Sequence, residues 1–428
     1  MAFEMFKPLG SWGKKAQAAG TTAGQSMADA FGIKQGVGCP IAIDFGTGCL
    51  KVLQVQMKDA MTPSLVAAAC LQTPDDLVHD HLRRLEFQAE ALPRLIRKGG
   101  FKGRRAVCAI PAWATICRHL QIPRSDGLPL GELVGGALAM QLNVDPSAMV
   151  YRHIEVNSAA AGRSEVVCIA VGRDLVDRLM RAIGASKLDP VGMHSEFHST
   201  LRCFDASMLK EEGGGSTLYL DMGTLTTSVM IAQGEKIEFA RVSAFGGRHM
   251  DEMIARQLKI ELTDAKRERR AMDEKLALEP EKVLAEAARR RAMAAGAAAG
   301  PRLSVDASTA VAEPPGTPRK SATDFIAPQA DLLEAIETLS DEVQMCLRYH
   351  ATQNPGRRVE RVVFLGGEAN QRGLCQQIAR NLRLGARMAD PMARVARAGN
   401  EPATGVDLKQ PQPAWSVALG MCLSRTDL

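Results

Sequence analysis

Two apolar runs in this chain end alike: a strand-like stretch, an aspartate, one residue, then a glycine. The first is Ile41-Ala42-Ile43-Asp44-Phe45-Gly46-Thr47-Gly48, with Lys51 just beyond. The second is Leu218-Tyr219-Leu220-Asp221-Met222-Gly223-Thr224-Leu225-Thr226-Thr227. A third run, Val362-Val363-Phe364-Leu365, closes on Gly366-Gly367-Glu368-Ala369. Short apolar runs bounded by glycine read as buried strands followed by tight turns. A single Asp-x-Gly after a strand is an ordinary β-turn. Three such turns, in this order and far apart, constrain the chain to a fold in which they converge and can clamp one nucleotide from two sides.

The spacing carries its own chemistry. Each strand brings its aspartate, Asp44 or Asp221, to the end of the sheet, where a carboxylate can face Mg2+ or its waters. The small residues that follow, Gly46, Thr47 and Gly48 in one turn and Gly223, Thr224 and Thr226 in the other, leave backbone N–H groups free to meet phosphate oxygens. The threonines add hydroxyl donors, and Lys51 supplies a point charge. After Gly366-Gly367 a helix is expected to start, and the bare backbone there admits an adenosine.

The pattern around these turns alternates strand and helix, which predicts an α/β class. IAIDF and CLKVLQVQM read as a hairpin around the first Asp-x-Gly, with SLVAAACLQ as a further strand and RAVCAIP after a helix over about 77–98. TICRHLQIP alternates like an edge strand closed by Pro123. GELVGGALAMQLN reads as a helix, AMVYRHIEV and SEVVCIAV as strands, and DLVDRLMRAIGAS as an amphipathic helix. STLYLDMG, TTSVMIAQG and KIEFARVS form a second meander, broken at Phe245-Gly246-Gly247 before the helix HMDEMIARQL. The repeated hairpin predicts two similar half-domains facing each other.

The expected organisation follows. Residues 1–38 are a flexible arm rich in Gly, Ala, Lys and Ser, with a weaker reading of Phe6, Trp12, Lys14 and Lys15 as an interfacial anchor. The first half-domain takes 39–111 and 173–215 with the closing helix in 412–428. A small subdomain occupies 112–172. The second half-domain takes 216–262 and 341–411. Residues 263–340 form a helical subdomain, with a disordered insert over 285–325 where Pro, Ser, Thr and Ala displace packable residues.

Composition narrows the function. No apolar run reaches the roughly 18 residues that span a membrane, and the N-terminus has no signal-peptide core, so a cytoplasmic protein is expected. The ten cysteines are scattered without a Cys-x-x-Cys pair, which argues against a zinc site or a disulfide framework. A net charge of +5 with no basic face interleaved with aromatics argues against nucleic acid as a partner.

The three turns resemble the phosphate 1, phosphate 2 and adenosine motifs of the actin-like ATPases. From about Pro40 to Leu423, outside the insert, the chain resembles the PilM family of type IV pilus assembly proteins, which is similar in fold to the cell-division protein FtsA. The matching segments are IAIDFGTGCLK, AIPAWATICRHLQIP, IAVGRDLVDRLMRAIGASKLDPVGMHSEFHST, LYLDMGTLTTSVMI, RVSAFGGRHMDEMIA, VVFLGGEANQRGL and WSVALGMCL.

The resemblance implies an actin-like ATPase fold with the extra subdomain of FtsA and PilM in place of actin's. It implies ATP and Mg2+ as ligands, with Asp44 and Asp221 toward the metal, directly or through water. Gly246, Gly247 and Ala369 join the nucleotide-binding set. Arg269 stands where PilM proteins carry a lysine near the adenine, and an arginine there can stack on the base. Glu196 falls where related ATPases position water or a substrate hydroxyl; it reads equally as a helix-surface carboxylate.

The implied partner is the N-terminal cytoplasmic peptide of a PilN-like membrane protein, which would make membrane attachment indirect. Other pilus assembly subunits and self-association are further expected contacts. Two other readings stay open: an FtsA- or MreB-like filament protein, and a small-molecule kinase of the same fold.

Overall fold

The computed structural model describes residues 39–57, 62–123, 127–159, 162–204, 215–298 and 331–424. The N-terminal arm and most of the predicted insert therefore lie outside the described residues.

Two sheets repeat one plan. In the first half lie β1 (Ile41–Phe45), β2 (Cys49–Met57), β3 (Pro63–Gln72), β4 (Arg105–Ile110) and β8 (Asp189–Ser195). Their order is β3-β2-β1-β4-β8, with the short β14 (Ala403–Thr404) outside β3. In the second half lie β9 (Ser216–Met222), β10 (Thr227–Gln233), β11 (Lys236–Ser243), β12 (Val359–Leu365) and β13 (Gly385–Met388), in the order β11-β10-β9-β12-β13. In each sheet the Asp-x-Gly strand sits centrally, antiparallel to its hairpin partner and parallel to the next strand.

The central strands are largely apolar because both of their faces are covered. In β1, Ile41, Ile43 and Phe45 face Leu85 and Leu92 of α1 (His81–Lys98) and Leu179 and Ile183 of α3 (Arg173–Ala185). Ala42, on the opposite face, joins Phe197 and Leu201 of α4 (Glu196–Arg202) and Leu419 of α10 (Ser416–Cys422). In β9, Leu218 and Leu220 pack with Ile336, Leu339 and Val343 of α8 (Leu332–Gln353) and Leu374 and Ile378 of α9 (Arg372–Leu382). The period of two thus assigns alternate residues of one strand to separate cores.

A third sheet, β5-β7-β6, carries the small subdomain: β5 (Ile116–Pro123), β6 (Met149–Ala159) and β7 (Arg163–Gly172), with α2 (Leu130–Leu142) across it. β5 is an edge strand, as its closing proline requires. Against the second half, His119 stacks on Phe239 at 4.6 Å and Lys236 Nζ donates to the Val156 carbonyl at 2.7 Å.

Three placements differ from the expected boundaries. β8 carries no clear apolar alternation in sequence; parallel pairing with β4 makes it a strand. Part of the 389–411 stretch reaches the first sheet: Ala396 bridges to Ser64 and β14 pairs with β3, while Met392 and Val395 enter a core that holds residues of both halves. The insert also begins later than residue 285. The helix α7 (Pro280–Ala298) follows α6 (Leu262–Leu278), with proline at its first position. Its alanines, glutamates and arginines are strong helix formers. Ala287 is buried, and Arg291 reaches Asp331 and Glu337.

Candidate functional site

The cleft between the two sheets is built from the two turns. Asp44 lies opposite Lys51 in the β1–β2 ladder, and Lys51 Nζ donates to Asp44 Oδ2 at 2.8 Å. Gln88 of α1 anchors the turn by donating to the Gly46 carbonyl at 2.8 Å. In the second turn Gly223 N–H donates to the Thr226 carbonyl at 2.9 Å. The helix α5 (Gly247–Leu258) buttresses that turn from behind, with Gly247 and Arg248 N–H donating to the Gly223 and Thr224 carbonyls at 3.0 and 2.8 Å. The two turns meet: a Cβ on Gly48 would sit 2.2 Å from Thr224 Oγ1.

The third turn closes the wall. Gly366 has φ +84°, and a side chain there would meet the Met222 carbonyl at 2.3 Å and Asp221 Oδ1 at 2.6 Å. Only glycine satisfies both demands. Beside it, Ser416 at the start of α10 donates to Asp221 Oδ2 at 3.3 Å.

Glu196 opens α4 after its N-cap Ser195, and its Oε1 accepts from Ala112 N–H at 2.8 Å. The helix lies close because a glycine crosses it: a Cβ on Gly420 would fall 1.7 Å from the Ser199 carbonyl. Asp44, Glu196, Asp221 and Lys51 are the charged residues among those described that line the cleft.

The charges strain one another. Burial, Asp44 and Asp221 push the Glu196 carboxyl well above its ordinary range, against the pull of the Ala112 N–H and Lys51. Burial pushes Asp221 up to about 6, with Asp44 adding and Lys51 opposing. Burial disfavours the Lys51 ammonium, but Asp44, Cys49 and Cys70 together hold it well above the usual lysine value.

The cleft collects Asp44, Gly46, Thr47, Gly48, Lys51, Glu196, Asp221, Gly223, Thr224, Thr226, Gly366 and Gly367. Gly246 and Gly247 stand behind the second turn, and Ala369 is buried in the second half's core. Arg269 requires a correction. It is 2% exposed and its guanidinium is held between Asp251 (2.6 Å) and Glu368 (2.7 Å), so it is committed to an ion triad and does not line the cleft. The sequence reading assigned no role to Trp113, Cys49 or Ser416, which lie in or beside the cleft. Trp113 and Ser416 fall inside segments that carry the family resemblance, and Cys49 sits between Gly48 and Lys51.

A divalent cation held by Asp44 and Asp221 would offset the burial that disfavours the charged form of Asp221. Among the described residues no group of three or more His, Cys, Asp or Glu is placed to hold a metal ion.

The pattern for the type IV pilus assembly protein PilM matches residues 42–284 and 323–426. The chain belongs to the PilM family. Its membership places it in type IV pilus assembly, with the actin-like ATPase fold. Among solved structures it is similar to the PilM-PilN type IV pilus biogenesis complex, with a TM-score of 0.63 and 20% identity over 90% of this chain and 97% of the other. It is more distantly similar to the ethanolamine utilization protein EutJ from Carboxydothermus hydrogenoformans, with a TM-score of 0.44 and 14% identity over 90% and 89% of the two chains. MreB5 of Spiroplasma citri bound to ADP gives a TM-score of 0.41 and 12% identity over 89% and 94%. No curated protein sequence matches the chain. Among the described residues no helix is long and apolar enough to cross a membrane.

Proposed function

We propose that this PilM-family protein is an ATP-binding adaptor of type IV pilus assembly or a related secretion machine, with at most slow turnover. The observation that carries the reading is the convergence of two like turns, one from each of two sheets of equal strand order, on a single cleft. The turn N–H groups, Thr47, Thr224, Thr226 and Lys51 would bind phosphate oxygens. Asp44 and Asp221 would hold Mg2+ or its waters, and Mg2+ would neutralise charge on the phosphates. Gly366 and Gly367 would leave room for adenosine. Glu196 is the candidate to position water. As a lone carboxylate it need not give fast turnover.

The partner in this reading is the N-terminal cytoplasmic peptide of a PilN-like inner-membrane protein, by analogy with the similar PilM-PilN complex. The protein would work on the cytoplasmic side and reach the membrane through that partner. Nucleotide would bias the two halves between open and closed arrangements.

Titration calorimetry of the full chain with Mg-ATP, alone and with a synthetic PilN-type peptide, tests this. The expected result is binding of both ligands and negligible phosphate release. Fast release without a partner would mark an enzyme instead, and absence of nucleotide binding would leave only a peptide-binding scaffold.

A further inference from the structure

Glu368 stands between Gly367 and Ala369 in the third turn, and the nucleotide reading gives it no part. It is not among the residues that line the cleft. Its side chain is 16% exposed, and its Oε2 accepts from Arg269 at 2.7 Å and from Gln371 Nε2. Charge balance does not account for this carboxylate. Arg269 already has Asp251 at 2.6 Å, and that pair is neutral. Glu368 adds a net negative charge to a largely buried site, where a second carboxylate is costly.

The other carboxylate oxygen meets α5. A Cβ on Gly247 would collide with Glu368 Oε1, so Gly247 takes no side chain while Glu368 keeps its place. Gly247 is the first residue of α5, where the positive end of the helix favours a carboxylate. Gly246, one residue earlier, abuts the second turn instead. A Cβ there would fall 2.6 Å from the Gly223 carbonyl oxygen and 2.7 Å from the carbonyl of Thr224. Gly247 and Arg248 N–H donate to those same two carbonyls. The Gly246-Gly247 pair is thus pressed between the second turn and Glu368 of the third. Both turns line the cleft, through Gly223, Thr224 and Thr226 on one and Gly366 and Gly367 on the other.

We infer that Glu368 is a positioning residue for the cleft: held by Arg269 and braced against Gly247, it sets the spacing between the second and third turns. It acts through those turns and does not touch the ligand. The inference rests on the nucleotide reading above and adds to it a residue which that reading leaves out. It also gives Gly246 and Gly247 a role, as the spacer whose missing side chains let the two turns approach.

The test is a double-mutant cycle in the full chain. Mg-ATP affinity is measured by calorimetry for the unsubstituted protein, Gly247→Ala, Glu368→Ala and the variant carrying both, below the ligand-free thermal midpoint of each. Gly247→Ala forces the carboxylate aside and Glu368→Ala removes the brace. Each should lose roughly tenfold in affinity, the size of coupling found between residues in contact. The double variant should lose no more than Glu368→Ala alone, because the added methyl then has nothing to displace. Glu368→Gln keeps the reach and the hydrogen bond to Arg269, and it should retain most of the affinity.

Losses that multiply in the double variant would show two residues acting separately and would overturn the assignment while leaving nucleotide binding intact. Lowered midpoints with unchanged affinity would overturn it too, since Glu368 would then only hold the fold together. So would a glutamine no better than alanine, because charge rather than reach would then matter. Failure of the unsubstituted protein to bind Mg-ATP would overturn the nucleotide reading, and this assignment with it.

Discussion

At the scale of single residues, environment decides what a side chain can do. Arg269 shows this directly. The resemblance to PilM proteins implied an adenine contact, but α6 turns it into the core between Asp251 and Glu368, two carboxylates contributed by α5 and the third turn. Arg269→Ala would leave both buried without a counter-charge, a loss on the order of 3–5 kcal/mol. The expected outcome is a large fall in the thermal midpoint of ligand-free protein; an unchanged midpoint with weakened adenosine binding would restore the adenine role. Cys49 shows the converse. A hydrogen bond from Cys70 pulls its thiol down to about 7 against the effect of burial, with Lys51 helping. Burial alone sends Cys108 up to about 12 and Cys168 to about 11. Only the thiolate reacts, so iodoacetamide labelling of Cys49 should rise as pH passes through about 7 while Cys108 and Cys168 stay unmodified. Mg-ATP should protect Cys49; mass spectrometry of the labelled peptides checks both points. Neither environment was legible in the sequence, because each depends on which strand or helix lies alongside.

At the scale of elements, hydrophobic pattern carried far. The strands flanking both Asp-x-Gly turns, the edge strand ending at Pro123 and the amphipathic α3 follow from periodicities of two and 3.6. β8 did not, since its stability comes from the β4 ladder. The docking of the small subdomain on β11 was also out of reach, because it joins residues 80 to 121 positions apart. His119 is its centre: it stacks on Phe239, meets Tyr349 edge-on at 5.2 Å, and its Nε2 lies 3.2 Å from the Ala240 carbonyl. Glu165, Glu238 and His350 line the same crevice, and Arg357 pairs with Glu238. Burial pushes the His119 imidazole below its ordinary 6.5, with the Ala240 carbonyl opposing. The unfolded chain therefore takes up this proton first. The stability tied to neutral His119 is present above about pH 6.5 and is lost as pH falls below it. His119→Phe keeps the aromatic stack and cannot protonate. Its thermal midpoint should gain on that of the unsubstituted protein between pH 7 and pH 5; a constant difference across that range would remove His119 from the acid response.

At the scale of the whole molecule, two halves of one plan enclose a cleft in which burial works against the charged forms of Asp221 and Glu196. The halves touch across it through Gly48 and Thr224, through Ser416 and Asp221, and at the rim through Arg248 with Asp75 and His79 with Glu252. The exposed rim pairs contribute little individually. Two turns resembling nucleotide motifs made the presence of the cleft legible, while its electrostatic strain needed the actual approach of Asp44, Glu196 and Asp221. That strain has a thermodynamic consequence for a molecule that closes on a ligand. The Asp221 carboxyl sits at about 6 in the folded protein against 3.8 when free. Folding therefore favours its proton, and the stability this proton confers is complete below about pH 3.8 and is lost as pH rises through about 6. Asp221→Asn removes the buried charge. In ligand-free protein at pH 8 it should raise the thermal midpoint, and the difference should shrink as pH falls toward 4. The same variant should gain nothing from Mg-ATP. The unsubstituted protein should be stabilised by about 2.7 kcal/mol at a ligand concentration of a hundred times Kd. Lys51→Ala should weaken ATP more than adenosine, because it removes a phosphate contact only. If Asp221→Asn bound Mg-ATP as well as the unsubstituted protein, the carboxylate would not be a metal or phosphate-side group. If it were less stable when ligand-free at pH 8, the cleft would not be strained. Both outcomes as expected would show a protein that keeps a destabilising charge because the ligand-bound state uses it.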